Sequence, residues 1–297
     1  MSVTTASARC PGPSGTGVMR RLMVFLMAAI LTASCTAGFV YQRLDLLVAW
    51  YVNSYVSLDD TQEAQLRSAV RTTLDWHQKS QLPRYVAWIE AVADDARQPL
   101  GAAQIRGRYD EALTLLDDFL AFVTPALGEV FRDLSPAQLA ELRNSLAEEN
   151  DELWEEYAGD TQLERRERRS KAAEKAFRRF IGRLAPAQRQ LITTRVAGLH
   201  ELSDQWMRHR RDWQQQFLGL LESPPAGAAF GVALRDLALR PNQFDDGGYR
   251  LRVDENREAV ISLVAEVSAS LSDAQHRHLQ AKLGDYAVDL RRLGETR

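Results

Sequence analysis

Apolar residues return every three or four positions along most of this chain, and strict alternation is nearly absent. That spacing is the period of helices, not of strands. Leu139, Leu142, Leu146, Leu153 and Tyr157 form one stripe, and Ala173, Ala176, Phe177, Phe180, Ile181 and Leu184 form the next. A long third stripe runs through Leu199, Leu202, Trp206, Trp213, Phe217 and Leu220. Near the C-terminus, Leu279, Leu283, Tyr286, Leu290 and Leu293 alternate by four and three, as in a bundle seam. Further stripes cover Ile105 to Val123 and Val253 to Val267. Breaks are expected at Leu82-Pro83, at Gln98 to Gly101, at Thr124-Pro125, at Ser223 to Pro225 and across Arg240 to Gly248. The pattern predicts an all-α protein, an irregular multi-helix bundle of about eight to ten helices without a sheet.

A short element recurs four times: Leu58-Asp59-Asp60-Thr61-Gln62, Leu134-Ser135-Pro136-Ala137-Gln138, Leu184-Ala185-Pro186-Ala187-Gln188 and Leu271-Ser272-Asp273-Ala274-Gln275. The intervals are unequal, so this is no solenoid period. Each copy opens an apolar stripe, and each reads as a capping box. Asp59, Ser135 or Ser272 is the N-cap, and the glutamine three residues on reaches back to the cap's own N–H. Pro136 and Pro186 fall at the first helical position, where a missing N–H costs nothing. Ala185 removes the cap side chain from the third copy. The element also resembles the Leu-Thr-x-x-Gln motif of small helical periplasmic chaperones, although no copy here has the Leu-Thr pair. That resemblance implies a shared ancestry with a client-holding cradle.

The N-terminus carries an address. Arg20 and Arg21 precede ten apolar residues, Leu22 to Leu31, and Thr32, Ala33, Ser34 and Cys35 follow. A basic start, a short apolar run and small residues make a secretory signal. Because the small residues end at a cysteine, the segment resembles a bacterial lipoprotein signal. That resemblance implies cleavage between Ser34 and Cys35 and lipid attachment on the Cys35 thiol. Residues 1–34 are then the signal, with Met19 as an alternative start. Residues 35–297 are one helical periplasmic domain, with 223–248 as the place for any subdivision. By the same resemblance, Thr36 after the cysteine, rather than Asp, implies the outer membrane. The competing reading is an uncleaved inner-membrane signal anchor, since Leu22 to Tyr41 is long enough to span a bilayer without a charge.

The chain has 297 residues, 45% apolar and 26% charged, and a net charge of −3. Nothing in that balance calls for nucleic acid. Cys10 and Cys35 are the only cysteines, so the chain beyond residue 35 has no disulfide, no Cys-ligated metal site and no Cys nucleophile. His276 and His278 are two apart and face different ways on a helix, and no His-Glu-x-x-His occurs. No metal or other cofactor is expected. There is no Gly-x-Ser-x-Gly elbow and no phosphate-cradling loop. The acidic pairs Glu148-Glu149, Asp151-Glu152 and Glu155-Glu156 read mostly as a solvated helix face.

Two patches are candidate partner-binding sites. One is the basic run with Arg165, Arg166, Arg168 and Arg169. It packs beside the acidic helix before it, or faces anionic lipid, or holds an acidic partner or client. The other is Trp76-His77 near Pro83 and Tyr85. It is a recognition site with His77 as donor, or a helix–helix corner with Trp76, Tyr85 and Trp88 in the core.

Several segments together resemble a family of uncharacterised helical lipoproteins of Gram-negative bacteria. They are Cys35 with Tyr41 to Asp45, Trp50-Tyr51, Tyr55 to Leu58, Trp76-His77, Leu82 to Tyr85, Glu164 to Arg169 and Trp206 to Trp213. The resemblance implies an envelope location and a helical fold, and it brings no activity. The expectation is a non-enzymatic binding or scaffolding module on the outer membrane, with a protein partner or client. A chaperone-like holdase is the alternative, and an envelope enzyme with a site invisible in sequence the second alternative.

Overall fold

The computed structural model describes residues 38, 40–158, 160–239 and 248–295. The described residues form eleven α-helices and one π turn, with no strand. In order they are α1 (Leu44–Asn53), α2 (Asp60–Trp76), the π turn (His77–Gln81), α3 (Leu82–Asp95), α4 (Ala102–Arg132) and α5 (Pro136–Ala158). Then come α6 (Gln162–Ile181), α7 (Pro186–Ala197), α8 (Ser203–Glu222), α9 (Ala229–Leu239), α10 (Tyr249–Ala269) and α11 (Asp273–Glu295). The signal segment and most of the Arg240 to Gly248 break lie outside the described residues.

The stripes find the partners that their periodicity demands. The C-terminal helix α11 lies along α3 and also touches α6, and its Leu293 shares an apolar cluster with Tyr41 and Leu82. The long α4 runs through the middle and meets α2, α3, α9 and α10. Helix α5 packs on α8, and α6 packs on α7. One apolar cluster gathers Val56, Leu134, Leu142, Leu218, Leu221, Phe230 and Leu234. A second gathers Ile181, Leu184, Ile192, Val196, Leu263 and Val267.

Two expected breaks and one expected stripe turn out differently. At Leu82-Pro83 the chain makes no corner. Trp76, His77, Gln81 and Leu82 all keep right-handed helical dihedrals, so helix continues from residue 60 to 95 through the π turn. Pro83 has no N–H to give and its ring crowds the carbonyl four residues back. The wider turn just before it absorbs both faults. At Thr124-Pro125, α4 likewise runs on through the proline. The Thr124 hydroxyl donates to the Leu120 carbonyl. Gly231 of α9 fits over the proline, where an added Cβ would meet Pro125 Cα at 3.5 Å. The third stripe is interrupted too. The chain leaves helix at Gly198, and α8 begins only at Ser203, so Leu199 and Leu202 precede it.

Candidate functional site

The four copies of the Leu-to-Gln element come together in two pairs. In the first, the Gln62 and Gln138 amides face each other. Gln138 Nε2 donates to Gln62 Oε1 at 2.6 Å, and Gln62 Nε2 to Gln138 Oε1 at 3.3 Å. Each Oε1 also accepts its own N-cap N–H, from Asp59 at 3.0 Å and Ser135 at 2.8 Å. Each Nε2 also reaches the carbonyl just before the partner's leucine: Gln62 binds Asp133 O and Gln138 binds Ser57 O. The second pair repeats this pattern. Gln188 and Gln275 exchange bonds of 3.0 and 2.8 Å, accept from Ala185 and Ser272, and donate to Ser270 O and Arg183 O. Every amide therefore uses both donors and both lone pairs, and each clasp carries a local two-fold symmetry.

The leucines of each clasp sink beneath it. Leu58 and Leu134 belong to the first apolar cluster, and Leu184 and Leu271 to the second. The two leucines of each clasp thus share one apolar cluster although they open helices far apart in sequence. A fifth copy escaped the sequence reading. Leu100-Gly101-Ala102-Ala103-Gln104 opens α4, with Gln104 Oε1 accepting the Gly101 N–H at 3.0 Å. Gln104 is exposed. This copy caps without clasping.

The basic run does not lie against the acidic helix. Helix α6 packs on α7 and α11, while α5 packs on α8. Arg168 pairs with Asp160 and Arg169 with Glu201, and Glu174 holds both Arg178 and Arg189. Arg165 is half-buried and contributes to the field at Glu201. Burial pushes the Glu201 carboxyl up, but hydrogen bonds from Ser203 and the charges of Arg169 and Arg165 hold it below the ordinary carboxylate range. Arg165, Arg168 and Arg169 are thus half-buried, and Arg166 is the exposed one of the four candidates.

Trp76 and His77 sit in an aromatic box. The Trp76 ring stacks on Phe122 at 3.9 Å, nearly parallel. His77 lies between Tyr85 and Phe119, and its Nδ1 is hydrogen-bonded to the Tyr41 hydroxyl at 2.9 Å. Burial lowers the His77 pKa to about 4, so the ring is neutral at physiological pH. Trp88 donates its indole N–H to Arg108 O from α3. The expected corner with Trp76, Tyr85 and Trp88 in the core is absent: all three are half-buried along a continuous rod, and Tyr85 packs on the cluster of Tyr41, Leu82 and Leu293.

The acidic helix is not wholly a solvated face. Glu149 is largely buried (11% side-chain exposure) and pairs with Arg210 at 2.6 Å. Burial raises its carboxyl, against the opposing pull of Arg210 and a hydrogen bond with Tyr55. Arg210 also donates to Asn150, which donates to Gln214, and Tyr55 is hydrogen-bonded to Tyr51. Beside this network an open groove of about 470 Å³ runs between α5 and α8, lined by Arg143, Asn150, Arg211, Gln214, Leu146 and Leu218 among others. Its floor combines the apolar Leu146, Ala147 and Leu218 with the Asn150–Gln214 amide pair and the guanidinium groups of Arg143 and Arg211. The four-residue spacing of Arg211 and Gln215, both on its lining, was the available signal for it. Among the described residues no group of three His, Cys, Asp or Glu side chains could hold a metal, and no helix is long and apolar enough to cross a membrane. Cys35 and the Ser34–Cys35 cleavage site lie outside the described residues.

A family model, DUF6279, a family of unknown function, matches residues 54–250, more than half of the chain. The match holds three of the clasping glutamines and stops short of the fourth, Gln275. Comparison with curated proteins gives no match, and neither does comparison with solved structures.

Proposed function

We propose the following role for this chain, which belongs to the DUF6279 family of unknown function. It is a lipid-anchored, non-enzymatic binding module of the Gram-negative cell envelope. Its signal is cut before Cys35, acyl chains on that cysteine hold it at the outer membrane, and the helices face the periplasm. The observation that carries this reading is the order Arg20-Arg21, Leu22 to Leu31, then Ala33-Ser34-Cys35. Two or more acyl chains anchor stably where one is marginal. Binding rather than catalysis is supported by how the perturbed groups are used. Glu149 and His77 are each engaged with other side chains of the fold. The groove between α5 and α8, and Arg166 on α6, are the surfaces offered to a protein partner.

The test compares wild type with Cys35→Ala by whole-protein mass spectrometry and membrane fractionation. Wild type should begin at Cys35 and carry lipid there, while the variant is released or left unprocessed. If both forms retain residues 22–41 and stay in the inner membrane, the chain is signal-anchored instead.

A second reading, a holdase for unfolded clients, is favoured by one observation. All four copies of the chaperone-like element sit at helix starts and meet in symmetric pairs. At an equimolar ratio the purified protein should then slow the aggregation of a model client. Unchanged aggregation removes this reading.

A further inference from the structure

The anchor proposed above leaves the domain little freedom. Tyr41 is buried (9% exposed) with Leu82 and Leu293, and its hydroxyl donates to Leu74 O. It follows Cys35 by only six residues. Six residues reach about 20 Å at full extension. Acyl chains on Cys35 would therefore hold this end of the fold against the bilayer surface.

Helix α1 begins three residues after Tyr41, and its two faces differ. Asp45 and Ala49 are buried on the inner face, where Asp45 binds Arg71 and Arg67 of α2. Val48 and Val52 pack with Leu66 and Val130. The outer face shows Leu46 at 39% exposure and Trp50 at 54%, one helical turn apart. Trp50 is the most exposed of the six tryptophans; Trp154 and Trp206 follow at 39% and 38%. Arg210 lies over the Trp206 ring. A tryptophan and a leucine facing outward on a helix beside an acyl anchor suit the boundary between headgroups and acyl chains, where an indole keeps its N–H wet and its ring dry.

We propose that the outer face of α1, carried by Leu46 and Trp50, is a membrane-contact surface that seats in the phospholipid interface next to the anchored Cys35. This rests on the lipoprotein reading. The anchor then fixes orientation as well as location: α1 lies on the bilayer, and the α5–α8 groove is presented from a domain that cannot swing freely.

The test uses the full chain, made with its own signal in a Gram-negative host. It is extracted in detergent and reconstituted into phosphatidylethanolamine–phosphatidylglycerol vesicles containing lipid brominated near the headgroup end of the acyl chains. Bromine quenches tryptophan only on close approach. Wild type should be quenched, Trp50→Phe should lose most of that quenching, and Trp206→Phe should keep it. Equal quenching in wild type and Trp50→Phe, with acyl mass present on residue 35, overturns the surface and leaves the anchor standing. A mature mass without lipid on residue 35 overturns the anchor, and the surface with it.

Discussion

The two glutamine clasps share one hydrogen-bond plan and one serine cap each, Ser135 and Ser272, but differ at their other helix start and in burial. In the second, both amides are buried, Gln188 at 3% and Gln275 at 8% exposure. In the first, Gln62 is equally buried but Gln138 is only half so. The first has a charged cap, with Asp59 accepting from Thr61 and Gln62. It also has a brace, since Glu141 accepts from the Ser57 N–H and hydroxyl, which hold its carboxyl below the ordinary range. The second lacks a cap side chain at Ala185, and its chain arrives through Gly182 at φ +74°. A side chain at Gly182 would be strained and would meet the His278 ring at 3.5 Å. What persists through these differences is the fully used amide pair. The caps are accessory, and the clasp is the common element that turns a helix start into a contact between distant segments.

The sharpest way to break this comparison is to remove one glutamine from each clasp. Gln275→Ala leaves the Ser272 N–H, the Arg183 carbonyl and half of the Gln188 amide without partners. The expected loss is about 2–4 kcal/mol, because buried orphans carry their full desolvation cost. Gln138→Ala breaks the corresponding bonds at a half-buried site, where water can replace them, and should cost about 1–2 kcal/mol. Urea unfolding followed by circular dichroism reads both. The double variants Gln62→Ala/Gln138→Ala and Gln188→Ala/Gln275→Ala then give the coupling within each pair, larger in the second. Equal losses and no coupling would mean that the glutamines only cap.

Much of this architecture was legible in the sequence. Helical periodicity gave the all-α class, and the four copies were visible as helix starts with Gln62, Gln138, Gln188 and Gln275 at the third helical position. Their pairing was not visible, because a capping box is complete within five residues and says nothing about a partner 76 or 87 residues away. The prolines misled for a related reason. Pro83 and Pro125 are poor helix formers on their own, yet a π turn and a threonine back-bond keep the rods continuous once neighbours pack on them. Charge misled most. An acidic helix followed by a basic one suggested a pair, but the arginines found closer partners at Asp160, Glu201 and Glu174. Glu149 went inside because Arg210 and Tyr55 meet it there. No local pattern separates it from its exposed neighbour Glu148.

Acid offers a second separation, since the glutamine amides of the clasps do not titrate; the first clasp carries carboxylates beside them, at Asp59 and Glu141. His77 does titrate. Its pKa is about 4 in the fold against 6.5 when exposed. Between those values the unfolded chain binds a proton that the folded chain refuses. Its contribution is fully present above pH 6.5 and is lost as pH falls toward 4, by about 3 kcal/mol at most. Glu149, raised by burial, acts with the opposite sign: its contribution is present at low pH and lost as pH rises through its raised value. His77→Gln keeps a hydrogen-bonding group for Tyr41 and removes the titration. The difference between wild type and this variant should therefore slope between pH 6.5 and 4 and be flat below. A slope of the same size in the variants lacking a clasp, and none lost in His77→Gln, would move the acid sensitivity elsewhere.

The smallest effect concerns the caps themselves. If the clasp is the common element and the cap an addition, the two clasps should respond to cap chemistry in opposite directions. Asp59→Ala removes acceptors for two N–H groups at the start of α2 and should cost about 1 kcal/mol. Ala185 already has the extended backbone of an N-cap, with φ −68° and ψ 155°, and is exposed at the start of α7. Ala185→Ser, supplying the missing acceptor, should therefore gain about 0.5–1 kcal/mol without disturbing Gln188. Both shifts should survive when the paired glutamine across the clasp is changed to alanine, since a cap bond lies within its own helix start. A shift that vanishes in that background would make the cap part of the clasp, and the absence of a side-chain cap at Ala185 would then be a feature of the second junction rather than a gap in it.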